Sequence, residues 1–229
     1  SEAKKPVDYL TVKAVEAIIA QPDVTTRKGK RDAFLLLFLY QTGARVQELV
    51  DVRICDLALD SRNIVTLHGK GSKTRAIPMR EKLVEHLKKY LQMFHPDVNL
   101  YSTDTLFYSV HKSQHSRMTE DNVRKLVREY GNRARAKEPS IPENVHPHMF
   151  RHSIAMHLYQ NGVALPLISQ WLGHSRLETT LIYAYADTEQ KRKAIEKAIP
   201  EDSTLKAFLN SERYRLDDDD LIKQLYGLK

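Results

Sequence analysis

Apolar residues recur at helical spacing along this 229-residue chain, and glycine- or proline-bearing breaks separate the runs. Thr11 is placed to cap a helix through Ala20, with Val12, Val15, Ile18 and Ile19 at helical spacing, and Gln21-Pro22-Asp23 ends it. Asp32 to Gln41 is apolar on nearly every side, which predicts a buried central helix, broken at Gly43 and followed by a short helix from Arg45 to Val52. Strand character at Asn63 to His68 and at Thr74 to Met79 flanks Gly69-Lys70-Gly71-Ser72-Lys73, a hairpin turn bearing two lysines. Helical periodicity returns at Lys82 to Phe94, stops at His95-Pro96-Asp97, and resumes in a basic helix from the Thr119 cap to about Ala136. Lys137 to Pro147 holds three prolines and reads as a loop. Helices are predicted at Arg151 to Gln160, ended by Asn161-Gly162, and at Pro166 to Leu172, closed by Gly173. Others follow at Leu177 to Tyr185, at Thr188 to Ala198, and after the acidic run Asp217 to Asp220, whose charges suit a helix N-terminus. The predicted class is mainly α with a small antiparallel sheet.

Composition narrows this little, but charge does more. The longest apolar run, Ala33 to Tyr40, falls well short of the roughly 20 residues that span a bilayer. Ser1 opens a polar, basic segment without the apolar stretch of a signal peptide. Cys55 is the only cysteine, so no intrachain disulfide is possible, and a reducing, cytoplasmic setting is expected. The formal net charge of +7 is unevenly spread: residues 1–200 carry 31 Lys/Arg against 22 Asp/Glu, and residues 201–229 carry 5 against 7. The body suits an anionic partner such as nucleic acid, and the tail does not.

Four segments carry candidate chemistry. In Thr42-Gly43-Ala44-Arg45-Val46-Gln47-Glu48-Leu49, an arginine after a glycine turn has a glutamate one helical turn away. The pair is either a surface ion pair or a guanidinium fork held ready for phosphate oxygens. The lysine hairpin is either a solvated turn or an arm reaching a DNA groove. It is not a Walker loop, because the spacing and the following helix are missing. In His148-Met149-Phe150-Arg151-His152, a helix that began early enough would put His148 and Arg151 on one face and turn Phe150 toward the core. The histidines at 146, 148, 152 and 157 also raise a metal site, but no cysteine or acidic set accompanies them at zinc-like spacing. Last comes Trp171-Leu172-Gly173-His174-Ser175, with Tyr183 nine residues after His174; a lone tyrosine is more often a packing residue.

The order Thr-Gly-x-Arg-x-x-Glu-Leu, Gly-Lys-Gly, His-x-x-Arg-His, Leu-Gly-His-Ser and then a tyrosine resembles the tyrosine recombinase, or phage integrase, family across most of Thr42 to Asp187. That resemblance implies the family's catalytic-domain fold over residues 1–199, a helical tail over 200–229, and a missing N-terminal core-binding domain. It implies that Arg45 and Arg151 clamp the scissile phosphate of double-stranded DNA. His148 and His174 would bond its oxygens, with His148 also accepting the tyrosine proton. Lys70, in preference to Lys73, would protonate the leaving 5′ oxygen; Glu48 would support Arg45; and Tyr183 would attack. Tyr185 is the rival, but two residues along a helix differ by about 200°, and the interval from His174 selects Tyr183. Lys73, Arg75 and His152 are expected to contact DNA. The chemistry requires no metal and no cofactor, since two arginines and two histidines can neutralise the charge that builds on the phosphate oxygens. The implied activity is site-specific recombination or integration through a 3′-phosphotyrosine, acting on bacterial or phage DNA at the nucleoid. Mobile-element integration or transposition is favoured over chromosome-dimer resolution. The apolar stripes of the tail are expected either to link four subunits on two DNA sites or to dock on the chain's own domain. A type IB topoisomerase, a non-catalytic DNA-binding protein of the same fold and a zinc-dependent nuclease are the alternatives.

Overall fold

The computed structural model describes residues 8–60, 62–69, 71, 73–111, 114–174 and 178–186. In chain order the described elements are α1 (Val12–Ile19), α2 (Arg27–Thr42), α3 (Val46–Asp51), a 3-10 turn (Ile54–Asp56), β1 (Leu57–Ala58), β2 (Ile64–His68), β3 (Thr74–Pro78), α4 (Glu81–Phe94), β4 (Tyr108–His111), β5 (Gln114–Arg117), α5 (Glu120–Arg135), α6 (Pro147–Gln160), α7 (Leu165–Leu172) and α8 (Glu178–Ala186). The helices at Thr188 to Ala198 and after Asp217 fall outside the described residues. No described helix is long and apolar enough to cross a membrane.

Thr11 caps α1 by accepting from the Ala14 N–H at 3.1 Å. Thr26 does the same for α2 through Gly29, so that helix begins at Arg27 rather than at Asp32. The basic first turn had no apolar stripe to reveal it. From Phe34 to Leu39 the helix runs through the core, with Leu35, Leu36, Phe38 and Leu39 fully buried. Asp32 is buried too, and a buried carboxylate is tolerable only when fully paired. It accepts from Lys28 Nζ at 2.7 Å, Arg31 Nε at 2.9 Å and the Tyr130 hydroxyl at 2.9 Å, which ties α2 to α5.

The strands β1, β2 and β3 form an antiparallel sheet in that order. The β2–β3 register pairs Val65 with Ile77 and Leu67 with Arg75. Because side chains alternate across a strand, Arg75 lies on the same face as buried Ile77. A second hairpin, β4–β5, was not legible in the sequence: all four β5 positions are exposed, so no alternation marks it.

A second departure from the predicted boundaries is at α6, which starts at Pro147 and not at Arg151. The three-proline stretch reads as a loop, yet proline at the first helical position is favourable because its missing N–H would have had no partner there. As a result His148, Arg151 and His152 share one helix, and Phe150 is buried as expected. Helix α6 packs against α2, α7 and α8.

Candidate active site

The site is assembled around Arg151, a side chain only 2% exposed. Its Nη1 donates to the Gly43 carbonyl at 2.6 Å, and its Nη2 donates to the Leu172 carbonyl. Gly43 and Gly173 are the left-handed C-caps of α2 and α7, with φ of 59° and 63°. One guanidinium therefore fastens the two turns that deliver Arg45 and His174. Burial, with Arg45 and Arg75 nearby, pulls the Arg151 pKa down to about 9, so it remains charged at neutral pH.

Arg45 is the N-cap residue of α3, and Glu48 closes back on it. The Glu48 carboxylate accepts from the Arg45 backbone N–H at 2.7 Å and from Arg45 Nη1 at 2.8 Å. The Arg45 side chain is still 40% exposed, whereas that of Glu48 is 2% exposed. Glu48 also takes both Nη groups of Arg75, at 2.6 and 2.7 Å. Although burial opposes its charge, Arg75 and then Arg45 hold its carboxyl down at about 2. Arg75, expected to contact DNA, turns inward onto Glu48, on the same strand face as Ile77.

Arg45, Gly69, Lys73, Arg75, Gly173 and His174 are among the residues lining a cleft of about 320 Å³. Three guanidiniums against one carboxylate leave this region positive, which suits an anion. His174 Nδ1 lies 2.9 Å from the hydroxyl of buried Thr180. A hydroxyl donating there would leave Nε2 to carry the imidazole proton and donate elsewhere. Thr180 went unrecognised in the sequence, where a threonine within a helical run carries no signal. Lys70 lies outside the described residues. On either side of it, the Gly69 N–H meets the Lys73 carbonyl at 2.7 Å, and Lys73 is exposed.

Tyr183 is 1% exposed, and its hydroxyl is 2.9 Å from His152 Nδ1. Burial pushes its pKa up to about 12, only partly offset by Arg151. The ring of exposed His148 meets that of His152 edge-on at 5.1 Å. His148, His152 and the tyrosine hydroxyl are thus consecutive neighbours, and His152, expected to contact DNA, here contacts the tyrosine. Among the described residues no three His, Cys, Asp or Glu side chains gather as a metal set. His157, one of the four sequence-clustered histidines, bonds the Tyr40 hydroxyl at 2.7 Å instead.

Two expected outcomes follow from this geometry. A Cβ added to Gly173 would sit 2.9 Å from Arg75 Cδ at a φ of 63°, whereas one on Gly162, at φ 83°, meets nothing within 4 Å. Both Gly→Ala changes carry backbone strain of about 1–3 kcal/mol, and Gly173→Ala should cost more in denaturant unfolding; equal costs would show that the Arg75 contact is slack. The second concerns pH. Burial, with the arginines and neighbouring histidines, holds His152 and His174 down to about 4, against 6.5 for a free histidine. Between those values the unfolded chain binds protons that the folded chain refuses, so stability falls as pH drops from 6.5 toward 4. The Glu48 contribution has the same sign in a lower range: it is fully present above about 4.5 and is lost as pH falls toward 2. Unfolding midpoints at pH 7 and pH 5 check this, and His174→Gln should narrow the gap between them.

The fold brings Arg45 and His174, delivered by the turns after α2 and α7, together with Arg151 and close to the buried Tyr183. The profile of the Phage integrase family matches residues 8–190. Tyrosine recombinase XerD of Staphylococcus epidermidis is 34% identical over 191 residues, which is 83% of this chain and 62% of the relative. The chain belongs to the phage integrase family. The crystal structure of XerA recombinase superposes with a TM-score of 0.67 at 26% identity, covering 86% of this chain and 67% of that one. The XerH site-specific recombinase bound to a palindromic difH substrate, a post-cleavage complex, gives 0.66 at 28% identity, covering 82% and 52%. The chain thus spans about 62% of the length of the XerD relative.

Proposed function

We propose that this chain is the catalytic domain of a site-specific tyrosine recombinase that cleaves and rejoins double-stranded DNA through a 3′-phosphotyrosine. The observation that carries it is Arg151 joining the Gly43 and Leu172 carbonyls, because it gathers three distant motif segments into one site. The relatives' names support the reading: XerD is a tyrosine recombinase, and the XerH structure holds its DNA substrate after cleavage.

In the proposed reaction, Arg45 and His174 donate to the non-bridging phosphate oxygens, and Arg151 holds both in place and adds its charge. The Tyr183 oxygen bonds to phosphorus as the bond to the 5′ oxygen breaks. The tyrosine proton leaves toward the His152–His148 pair, and Lys70 protonates the departing 5′ oxygen. That oxygen, or the 5′-hydroxyl of a second strand, reverses the step, so the bond energy is conserved. We also propose that residues 200–229 link subunits on paired DNA sites, using Leu205, Phe208, Leu209, Leu221, Ile222 and Leu225.

The test is covalent trapping on a library of nicked duplexes of randomised sequence, from which the cleaved end diffuses away. The expected result is a protein–DNA adduct formed equally well in EDTA; no adduct with any sequence would defeat the reading. Lys70→Ala should slow adduct formation by about 10²-fold or more, as loss of a general acid does. A bridging 5′-phosphorothiolate, whose sulfur leaves without a proton, should restore the rate. Failure of that rescue would pass the role to Lys73.

A further inference from the structure

Arg75 makes three hydrogen bonds that none of the proposed chemical steps uses. Nη1 and Nη2 grip the two Glu48 oxygens at 2.6 and 2.7 Å, and Nε donates to the Trp171 carbonyl at 2.9 Å. Its side chain is 9% exposed, so little of it is left to meet a ligand. Its aliphatic stem passes so close to Gly173 that a Cβ there would lie 2.9 Å from Cδ. Three elements meet at this residue: β3, the first turn of α3, and the end of α7 just before His174.

The consequence for Arg45 follows from the shared carboxylate. Glu48 is buried and charged, and it takes a bidentate fork from Arg75 but a single side-chain bond from Arg45. A carboxylate in a low-dielectric setting draws in whichever guanidinium can reach it. With Arg75 in place that demand is met, and the Arg45 guanidinium keeps its remaining N–H groups and 40% of its side-chain surface open. Without Arg75, Arg45 is the cation already bonded to Glu48, and closing a full fork on it would withdraw those N–H groups from the cleft.

We infer that Arg75 is a positioning residue: it saturates Glu48 so that Arg45 stays available to the phosphate, and it fixes the end of α7 that presents His174. This rests on the proposed recombinase chemistry and adds a role that is neither DNA contact nor proton transfer. Lysine could replace the charge but not the planar three-bond grip.

The test uses the 229-residue chain and a nicked duplex recovered from the trapping experiment. Adduct rate at saturating DNA, affinity, and the salt dependence of affinity are measured for Arg75→Met, Arg75→Lys, Glu48→Gln and the double variant Arg75→Met/Glu48→Gln. The expected result for Arg75→Met is a rate loss of about 10²-fold, the size seen when one preorganised donor is lost, with affinity and salt slope unchanged. Arg75→Lys should recover part of that rate. The double variant should react faster than Arg75→Met, because neutralising Glu48 removes its pull on Arg45, even though Glu48→Gln alone is slower than the unaltered chain. A residue of the fold alone would give additive losses or a variant that does not fold, and either result overturns the inference. Reduced affinity with a shallower salt slope would instead make Arg75 a phosphate contact and also overturns it. If the unaltered chain forms no adduct, the recombinase reading itself has failed, which is a different result from an active chain with inactive Arg75 variants.

Discussion

Tyr183→Phe is expected to abolish the covalent protein–DNA adduct while leaving folding and DNA affinity nearly unchanged. The ring is buried with Ala155, Met156, Ile168 and Leu172 in the smaller apolar cluster, and phenylalanine fills the same space. Only the hydroxyl is lost, and with it one hydrogen bond to His152, worth about 1 kcal/mol. The loss of chemistry should be complete, because no other group on that ring can bond to phosphorus. The measurement is trapping on the nicked duplex, with thermal unfolding and a binding isotherm on the same preparation. An adduct that persists in Tyr183→Phe would move the nucleophile to Tyr185. The resting geometry adds a kinetic expectation. Tyr183 is 1% exposed with its hydroxyl paired to His152, so the ring must move outward, still within reach of the His152–His148 pair, before the bond to phosphorus forms. Adduct formation should therefore show a unimolecular step that further DNA does not accelerate; a rate rising linearly with DNA up to high concentration would contradict it.

Much of this site was legible because the chemistry requires particular residue types beside particular backbone turns. Arg45 and His174 each follow a glycine with positive φ, and such glycines stand out in a sequence. The start of α6 was misplaced because prolines signal both loops and helix N-termini, and only tertiary packing chooses between them. The β4–β5 hairpin gave no alternation to read. The role of Arg75 was obscured for another reason. A basic residue beside a lysine hairpin in a positively charged body looks like a DNA contact, and nothing local says that its partner is Glu48, 27 positions upstream. His152 was similarly ambiguous, because its contact with Tyr183 spans 31 positions and depends on how α6 and α8 pack. Short motifs thus show which residues gather, while the bonds among them come from the fold.

Arg151→Ala should cost more stability than any other single truncation in the site, and should impair chemistry as well. Two effects oppose each other. Removing one of three clustered guanidiniums relieves its repulsion with Arg45 and Arg75, the repulsion that helps pull its pKa down to about 9. Against that, the Gly43 and Leu172 carbonyls lose a charged donor, each bond to a charged group being worth about 1.5–3 kcal/mol. A cavity also opens where one of the largest fully buried side chains stood. The losses exceed the relief, and a net destabilisation of about 3–5 kcal/mol is expected, a large share of the stability of an ordinary domain. Arg151→Lys keeps the charge and can satisfy one carbonyl but not both, so it should fall between the two. The rate should suffer in both variants beyond what lost stability explains, because the turns carrying Arg45 and His174 would no longer be held to one another. Denaturant unfolding and adduct rate measured well below the unfolding midpoint separate the two effects. If Arg151→Ala unfolds at the unaltered midpoint and loses only DNA affinity, then Arg151 is a peripheral phosphate ligand and not the residue on which the site is assembled.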